Sequence, residues 1–465
     1  MLSFLKEKRR EVNKNPSFLP RSLQILIYEG LGFSTRRGRG WLKRHADSSL
    51  KFKLLFFFSF YQFLILEYNK FTKTMGIIRS KLENDLYKFS MSYFYMMKYP
   101  EAEGTFVFTD RNNSIYTKEF VERLKEEIER YTRLEMTTEE FEWAVKNIPY
   151  IPRFFWEWYR GFKFDSSAVS ISLDEENHLK ISATGYLYQI TFWEVPILAM
   201  VSEIKNELEG NIEKLDVNKF TDALKRKIKL SNDNRMKFSL FGMRRRFSGP
   251  LEAQVTDICK REARYCVGTS NVWFAYVYHM KPTGTLAHEL IMAAGSWYGY
   301  RMANYTIMEQ WSDVFGIDLG TMLIDTFTCD AFFRNFSRKH AHLFTSLRID
   351  SGDEYALADE AIKRYHELGI DPTQKTLIFS NSLDFPKALA IQQYCGARIK
   401  ASFGIGGNLT ADVPGVKPSN IVMKLSQCRI SERENWSPCI KISDDLGKHM
   451  GDADELKKAF IELGL

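Results

Sequence analysis

Between residues 345 and 407 the chain contains TSLRIDSGD (345–353), TLIFSNS (376–382) and IKASFGIGG (399–407). Each is a short apolar run ending in small or polar residues, and helical stretches separate them. The same form recurs in RYCVGTSN (264–271), TGTLAHE (283–289), TMLIDTF (321–327) and NIVMKL (420–425). Short strands alternating with helix-length spacers argue for consecutive βα units on a parallel sheet, closed as a barrel when there are seven or eight. In such barrels chemistry gathers where strands end and loops begin. His288, Asp325, Arg348, Asp350, Asn381 and the glycines after Phe403 are therefore expected at one mouth.

Upstream the rhythm differs. Between 76 and 235, strand-like runs such as GTFVFTDRN (104–112) and LKISATGYLYQITFWEV (179–195) mix with charged helical stretches such as VERLKEEIERYTRLE (121–135). This pattern predicts an α+β layer domain. The expected organisation is an N-terminal extension over 1–74, an α+β domain over 75–235 and a barrel domain over 236–465. A chain of 465 residues, 45% hydrophobic and 14% aromatic, can fill cores of that size.

The net charge of +7 is unevenly placed. Residues 1–74 hold 15 Lys/Arg against 5 Asp/Glu, a net of +10; the remaining 50 basic and 53 acidic residues give −3. The body of the protein therefore presents no basic face for nucleic acid. The extension also carries an apolar run, LLFFFSFYQFLIL (54–66), shorter than the ~20 residues that span a bilayer and broken by Ser59 and Gln62. It begins too far along the chain for a signal peptide. Two readings stay open, a weak membrane anchor and sequence upstream of a start at Met75. The second is preferred, so the extension is expected to be dispensable and no membrane partner is expected.

His288 needs a role. A zincin helix requires a second histidine four residues on, and position 292 is Met292. The six cysteines form no CxxC pair, which leaves no structural zinc ligand set and points to reduced thiols in the cytoplasm. FGIGGN (403–408) is a Gly-rich turn that can cradle phosphate or simply turn. LRIDSGD sets Arg348 and Asp350 two apart, on the same side of a strand, as an anion fork and a ribose acceptor or as an ordinary ion pair. On an extended FGMRRRF, alternation would send at least one of Arg244 to Arg246 inward. NDLYKFSM (84–91) offers an N-cap at Asn84 or Asp85, and Tyr87 as a stacking ring or a core residue.

Taken in order, NDLYKFSM, FGMRRR, GTSNV, GTLAHE, LRIDSGD, FSNSLD and FGIGGNLTADVPGVKPSNIVMKL resemble the nicotinate phosphoribosyltransferase family from about Met75 onward. The resemblance implies an N-terminal α+β layer domain followed by an irregular (β/α) barrel of the type II phosphoribosyltransferase kind. It also implies a reaction: nicotinate attacks C1 of phosphoribosyl pyrophosphate (PRPP), giving nicotinate mononucleotide and pyrophosphate, coupled to ATP hydrolysis. Tyr87 would stack on the pyridine ring from a neighbouring subunit of a homodimer. Arg244 and Arg348 would hold the carboxylate and a nearby phosphate, with Thr285 at the substrate site and Arg245 adding a phosphate contact. Asp350, and with it Asp325, would take the ribose region. Asn381, Ser382, Gly406, Gly407 and Asn408 would bind the 5′-phosphate, with Gly407 standing where many relatives carry Thr. Mg²⁺ would arrive with the pyrophosphate rather than on side chains alone, and His288 would be phosphorylated by ATP. The rival readings are nicotinamide or quinolinate transfer on the same fold, a metal-dependent barrel hydrolase using His288 and Asp325, and a catalytically silent binding protein.

Overall fold

The computed structural model describes residues 76–445 and 449–465, which fall in one compact unit, Thr72–Leu465. The expectations for the basic extension, the apolar run 54–66 and the start at Met75 lie outside the described residues. Eleven strands are described: β1 Glu103–Asp110, β2 Val169–Leu173, β3 Leu179–Tyr186, β4 Phe238–Leu240, β5 Cys266–Thr269, β6 Thr321–Leu323, β7 Ser346–Ile349, β8 Thr376–Phe379, β9 Lys400–Ile405, β10 Ile421–Arg429 and β11 Ser437–Pro438. They form two sheets. One is antiparallel, in the order β11-β10-β1-β3-β2, and the other is parallel, in the order β5-β4-β9-β8-β7-β6.

The antiparallel sheet is the α+β layer. In β1, Phe106 and Phe108 are buried while Val107 between them is 39% exposed, the alternation of a sheet packed on one face. Helices Lys118–Thr132 and Glu194–Leu208 pack against each other beside it. The first is capped by Thr117, whose side chain accepts from Phe120 N at 3.1 Å. This layer is not made by residues 75–235 alone. NIVMKL, read as another βα strand, belongs to β10, which pairs antiparallel with β1 along its length, from Glu103↔Arg429 to Asp110↔Ile421. A short apolar run carries no record of which sheet it joins, and here the chain returns to its first layer.

The parallel sheet confirms the βα reading for the runs at 264–271, 321–327, 345–353, 376–382 and 399–407. Its sixth strand, β4, is three residues long and lies directly before FGMRRR. TGTLAHE is not a strand of this sheet. Residues 281–285 lie along the seam between β5 and β6: Thr269 bridges Pro282, Thr283 N donates to Thr269 O (2.9 Å), and Thr285 Oγ1 donates to Thr321 O (3.0 Å). Gly268 permits this approach, because a Cβ there would sit 2.1 Å from Lys281 O. The irregular barrel is thus completed by an extended segment that leads into the helix His288–Tyr298. On β7, Leu347 and Ile349 are fully buried, while Arg348 between them projects to the other side of the strand.

The helix Leu86–Lys98 begins within NDLYKF as expected, but its cap differs. Asp85 makes no capping hydrogen bond and instead accepts from Ser270 Oγ, just beyond β5, at 2.6 Å. The would-be cap fastens this helix to the barrel.

Candidate active site

Because the six strands are parallel, their C-terminal ends lie side by side. β4 leads to Arg244, β9 to Gly406–Asn408, β8 to Asn381 and Ser382, β7 to Asp350, and β6 to Asp325. His288 opens its helix from the seam beside β6, with Nδ1 3.0 Å from Thr326 Oγ1. Nε2 lies 3.0 Å from Lys441 Nζ and 3.4 Å from Asp350 Oδ2. Burial, and next the charge of Lys441, push the imidazole down to about 4. It is therefore neutral at pH 7, and an ammonium donating to Nε2 selects the tautomer that carries its proton on Nδ1, towards Thr326.

Around it the carboxylates are individually held. Asp350 accepts from Arg348 Nη2 at 2.9 Å and from Ser380 Oγ, and Arg348 Nε donates to Ser380 Oγ at 2.9 Å. Burial would raise the Asp350 carboxyl, but the charge of Arg348, with that of Lys441, overcomes it and holds the group well below the usual carboxylate range. Asp325 is fully buried, accepts from Ser351 Oγ, and pairs with Lys441 at 3.5 Å. Its Oδ1 has no hydrogen-bond partner among the described residues.

A second group of charges lines the side nearer the layer domain. FGMRRRF is not extended; Met243–Arg245 forms a single 3₁₀ turn and its arginines diverge. Arg244 touches Glu194 Oε1 at 3.5 Å with 43% of its side chain exposed. Arg245 donates from Nε to Ile421 O at 2.8 Å, and burial together with neighbouring Arg244 and Arg111 lowers it to about 10. Arg246 turns into the core among Glu83, Glu203 and Glu252. Lys424, on β10, has no ion-pair partner among the described residues; burial, Lys441 and Arg111 push its ammonium down to about 7. Arg245, Arg111 and Lys424 make no ion pair among the described residues, and together with Arg244, which has Glu194 alone, they make a site for a polyanion.

The structure thus brings His288, Asp325, Arg348 and Asp350 into one cluster, and Arg244 and Arg245 into the adjoining one. Tyr87 is buried within this chain, with Lys88 Nζ 5.3 Å from the centroid of its ring, and burial holds its phenol protonated. Thr285 lies between β6 and the helix that carries Tyr87: its hydroxyl donates to Thr321 O, its carbonyl accepts from Ser90 Oγ, and a Cβ on the preceding Gly284 would lie 3.4 Å from Tyr87 N. Gly404 and Gly406 are pressed by Phe241, where a Cβ would lie 2.5 Å from its ring and 2.8 Å from its carbonyl oxygen, respectively. A Cβ at Gly407 would meet only open space, so glycine there is no steric requirement and its N–H opens the short turn Gly407–Thr410. Ser382 is exposed with φ +46°, beside Asn381. Sequence reasoning passed over Lys424, Lys441, Arg111 and Thr326. A lysine inside an apolar strand, as in IVMKL and CIKI, was the available signal.

Two family descriptions match the chain: the Nicotinate phosphoribosyltransferase (NAPRTase) family over residues 236–462, and its N-terminal domain over residues 82–202. A nicotinate phosphoribosyltransferase of Desulforapulum autotrophicum is 40% identical over 381 residues, covering 82% of this chain and 97% of that one. The chain belongs to the nicotinate phosphoribosyltransferase family. One of that name from Methanosarcina mazei is 36% identical over 402 residues, with the same coverage of each chain. The crystal structure of nicotinate phosphoribosyltransferase from Porphyromonas gingivalis superposes with a TM-score of 0.82 at 46% identity, covering 84% of this chain and 100% of that one. The Vibrio cholerae structure gives 0.78 at 29% identity, covering 84% and 94%. These likenesses span both sheets, so the family assignment covers the layer domain as well as the barrel mouth.

Proposed function

We propose that this protein transfers the phosphoribosyl group of PRPP to nicotinate, forming nicotinate mononucleotide and pyrophosphate in the salvage branch of NAD biosynthesis, with ATP hydrolysis coupled through His288. The observation that carries the reading is the junction of two clusters at one mouth: neutral His288 with Asp350, Arg348 and Lys441, and beside it the cations Arg244, Arg245, Arg111 and Lys424, of which only Arg244 has an ion-pair partner among the described residues.

The roles follow from the chemistry. Transfer at C1 develops positive charge on the ribose and negative charge on the departing pyrophosphate. Asp350, ionised and at the mouth, suits the ribose hydroxyls, and Lys424, Lys441 and Arg245 suit the pyrophosphate. Gly406, Gly407 and Asn408, beside Asn381 and Ser382, offer N–H and side-chain donors to the 5′-phosphate. Arg244, exposed next to Tyr87, suits a ring carboxylate, which favours nicotinate over its amide. Quinolinate, with a second carboxylate, would need a further cation at the ring. Mg²⁺ would supply charge neutralisation of the pyrophosphate, and the unpartnered oxygen of Asp325 together with Asp350 fits such an ion.

For coupling, the lone pair of His288 Nε2 attacks the γ-phosphorus of ATP. The N–P bond forms, the bond to the bridging oxygen breaks, and ADP leaves with that electron pair. Lys441 stands where the added negative charge would fall. Among the described residues no helix is long and apolar enough to cross a membrane, and we place the enzyme in the cytoplasm. A homodimer is proposed on family grounds. The test is mass-spectrometric identification of the product formed from nicotinate, PRPP, ATP and Mg²⁺. Nicotinate mononucleotide and pyrophosphate in equal amounts are expected, and their absence overturns the reading.

A further inference from the structure

Lys88 is fully buried, and its ammonium meets three acceptors: Glu194 Oε2 at 2.5 Å, Glu289 Oε2 at 2.5 Å and Thr191 Oγ1 at 3.1 Å. All three of its donors are thereby used. Thr191 also donates to Glu289 Oε1 at 2.6 Å, and Glu194 uses its second oxygen on Arg244 at 3.5 Å. The result is a line of alternating charge: Glu289, Lys88, Glu194, Arg244. Its ends are informative. Glu289 follows His288 in the chain, Lys88 follows Tyr87, and the line stops at an arginine still 43% exposed at the mouth.

A buried ion cluster placed only for stability would be closed, as Arg246 is among Glu83, Glu203 and Glu252. This one leaves its terminal cation open. Glu194 occupies Nη1 of the guanidinium, while Nε and Nη2 make no hydrogen bond among the described residues and remain for the bidentate capture of a carboxylate. Lys88 in turn fixes Glu194, and Glu289 fixes Lys88. We propose that Glu194 and Lys88 are positioning residues that set Arg244 for the ring carboxylate, and that Glu289 ties this subsite to the helix headed by His288.

The inference rests on the nicotinate reading, so its test separates the two. Nicotinate and nicotinamide binding is measured by calorimetry on the full chain, alongside steady-state kinetics, for the unmutated protein, Glu194→Gln, Glu194→Asp and the double variant Lys88→Met/Glu289→Gln. The double variant removes one cation and one carboxylate together and so leaves no unmatched buried charge. In Glu194→Gln and in the double variant, nicotinate should bind about tenfold more weakly and its KM should rise by a similar factor. Nicotinamide binding, PRPP KM and kcat should stay within about threefold. Glu194→Asp, which keeps the charge, should fall in between. Nicotinate affinity that is unchanged, or that falls together with kcat, PRPP KM and thermal midpoint, overturns the positioning role. Unmutated protein that binds nicotinate through this line yet forms no product overturns the proposed reaction and leaves the positioning role intact.

Discussion

Lys441 Nζ lies 3.0 Å from His288 Nε2 and 3.5 Å from Asp325 Oδ2, so one buried lysine joins the histidine at the barrel seam to the carboxylate beyond β6. The lysine comes from the stretch that follows β11, 153 residues further along the chain than the histidine. It places a positive charge where a phosphoryl group would form on Nε2, and it disfavours protonation of the ring.

Incubation with γ-labelled ATP should therefore leave an acid-labile, base-stable label on the peptide containing GTLAHE, and His288→Asn should remove it. Labelling should persist as pH falls from 7 to 5, since the imidazole, pushed down to about 4, stays neutral. In Lys441→Met the repelling charge is gone and Asp350 and Asp325 remain, but burial still opposes protonation, so the ring should protonate at a higher pH than in the unmutated protein and labelling at pH 5 should fall further than it does there. A label on a different residue, or identical pH profiles for the two proteins, would contradict this.

The same shift has a stability consequence. A histidine depressed from 6.5 to about 4 favours the folded state in its neutral form. That contribution is complete above pH 6.5 and is lost progressively as pH falls from 6.5 towards 4, at about 1.36 kcal/mol per unit and up to about 3 kcal/mol in all. Urea unfolding at pH 7.5 and pH 5 should show a loss for the unmutated protein that is smaller in His288→Asn. Equal losses would mean that the imidazole protonates freely in the fold.

How much of this was legible in the chain depends on locality. β7, β8 and β9 announced themselves because each apolar run stops at the residues that face the mouth, and so did Arg348, Asp350 and the glycine turn. β10 did not, because IVMKL fits either sheet and the pairing partner, β1, lies more than 300 residues earlier. β4 is three residues long and gave no periodic signal. The lysines were hidden for a related reason. Lys88 and Glu289 are 201 residues apart, and neither belongs to a spacing pattern that would pair them. Arg244, Arg245 and Arg246 were visible as a patch, but only the 3₁₀ turn divides them into an open, a lining and a buried arginine.

Lys424 should act as a pH-sensitive anchor for PRPP. With its ammonium pushed down to about 7, it is charged below that pH and neutral above it in the free enzyme. A bound polyanion raises the pKa, so PRPP binding should take up a proton and its KM should climb as pH rises from 6.5 to 8.5. Lys424→Met should have a high PRPP KM at every pH and lose most of that slope. A slope that survives the substitution would place the titrating group elsewhere.

Arg246 is a stability residue. It is fully buried between Glu83 at 2.6 Å, Glu252 at 3.0 Å and Glu203 at 3.4 Å, and Nη2 donates to Ile77 O at 2.9 Å. Arg246→Met removes the guanidinium shared by three buried carboxyls and leaves only Arg79 near them, and the loss should be on the order of 3–5 kcal/mol. Burial has already raised Glu203 and Glu252 to about 7, so in the variant these groups should bind protons more tightly and the deficit should shrink as pH falls from 8 to 6. Denaturant unfolding at the two pH values checks both statements, and a variant as stable as the parent would contradict them.

The most direct measurement is a matched set of initial rates for nicotinate, nicotinamide and quinolinate, each with PRPP and Mg²⁺, with and without ATP. The exposed guanidinium of Arg244 beside Tyr87 predicts nicotinate use at least tenfold above nicotinamide, since one charge-assisted bond to a carboxylate contributes on the order of 1.5–3 kcal/mol. ATP should lower the nicotinate KM in the unmutated protein and have no effect in His288→Asn, which should keep a slow ATP-independent rate. Equal turnover of the acid and the amide, or a mutant whose product formation still consumes ATP, would contradict the account.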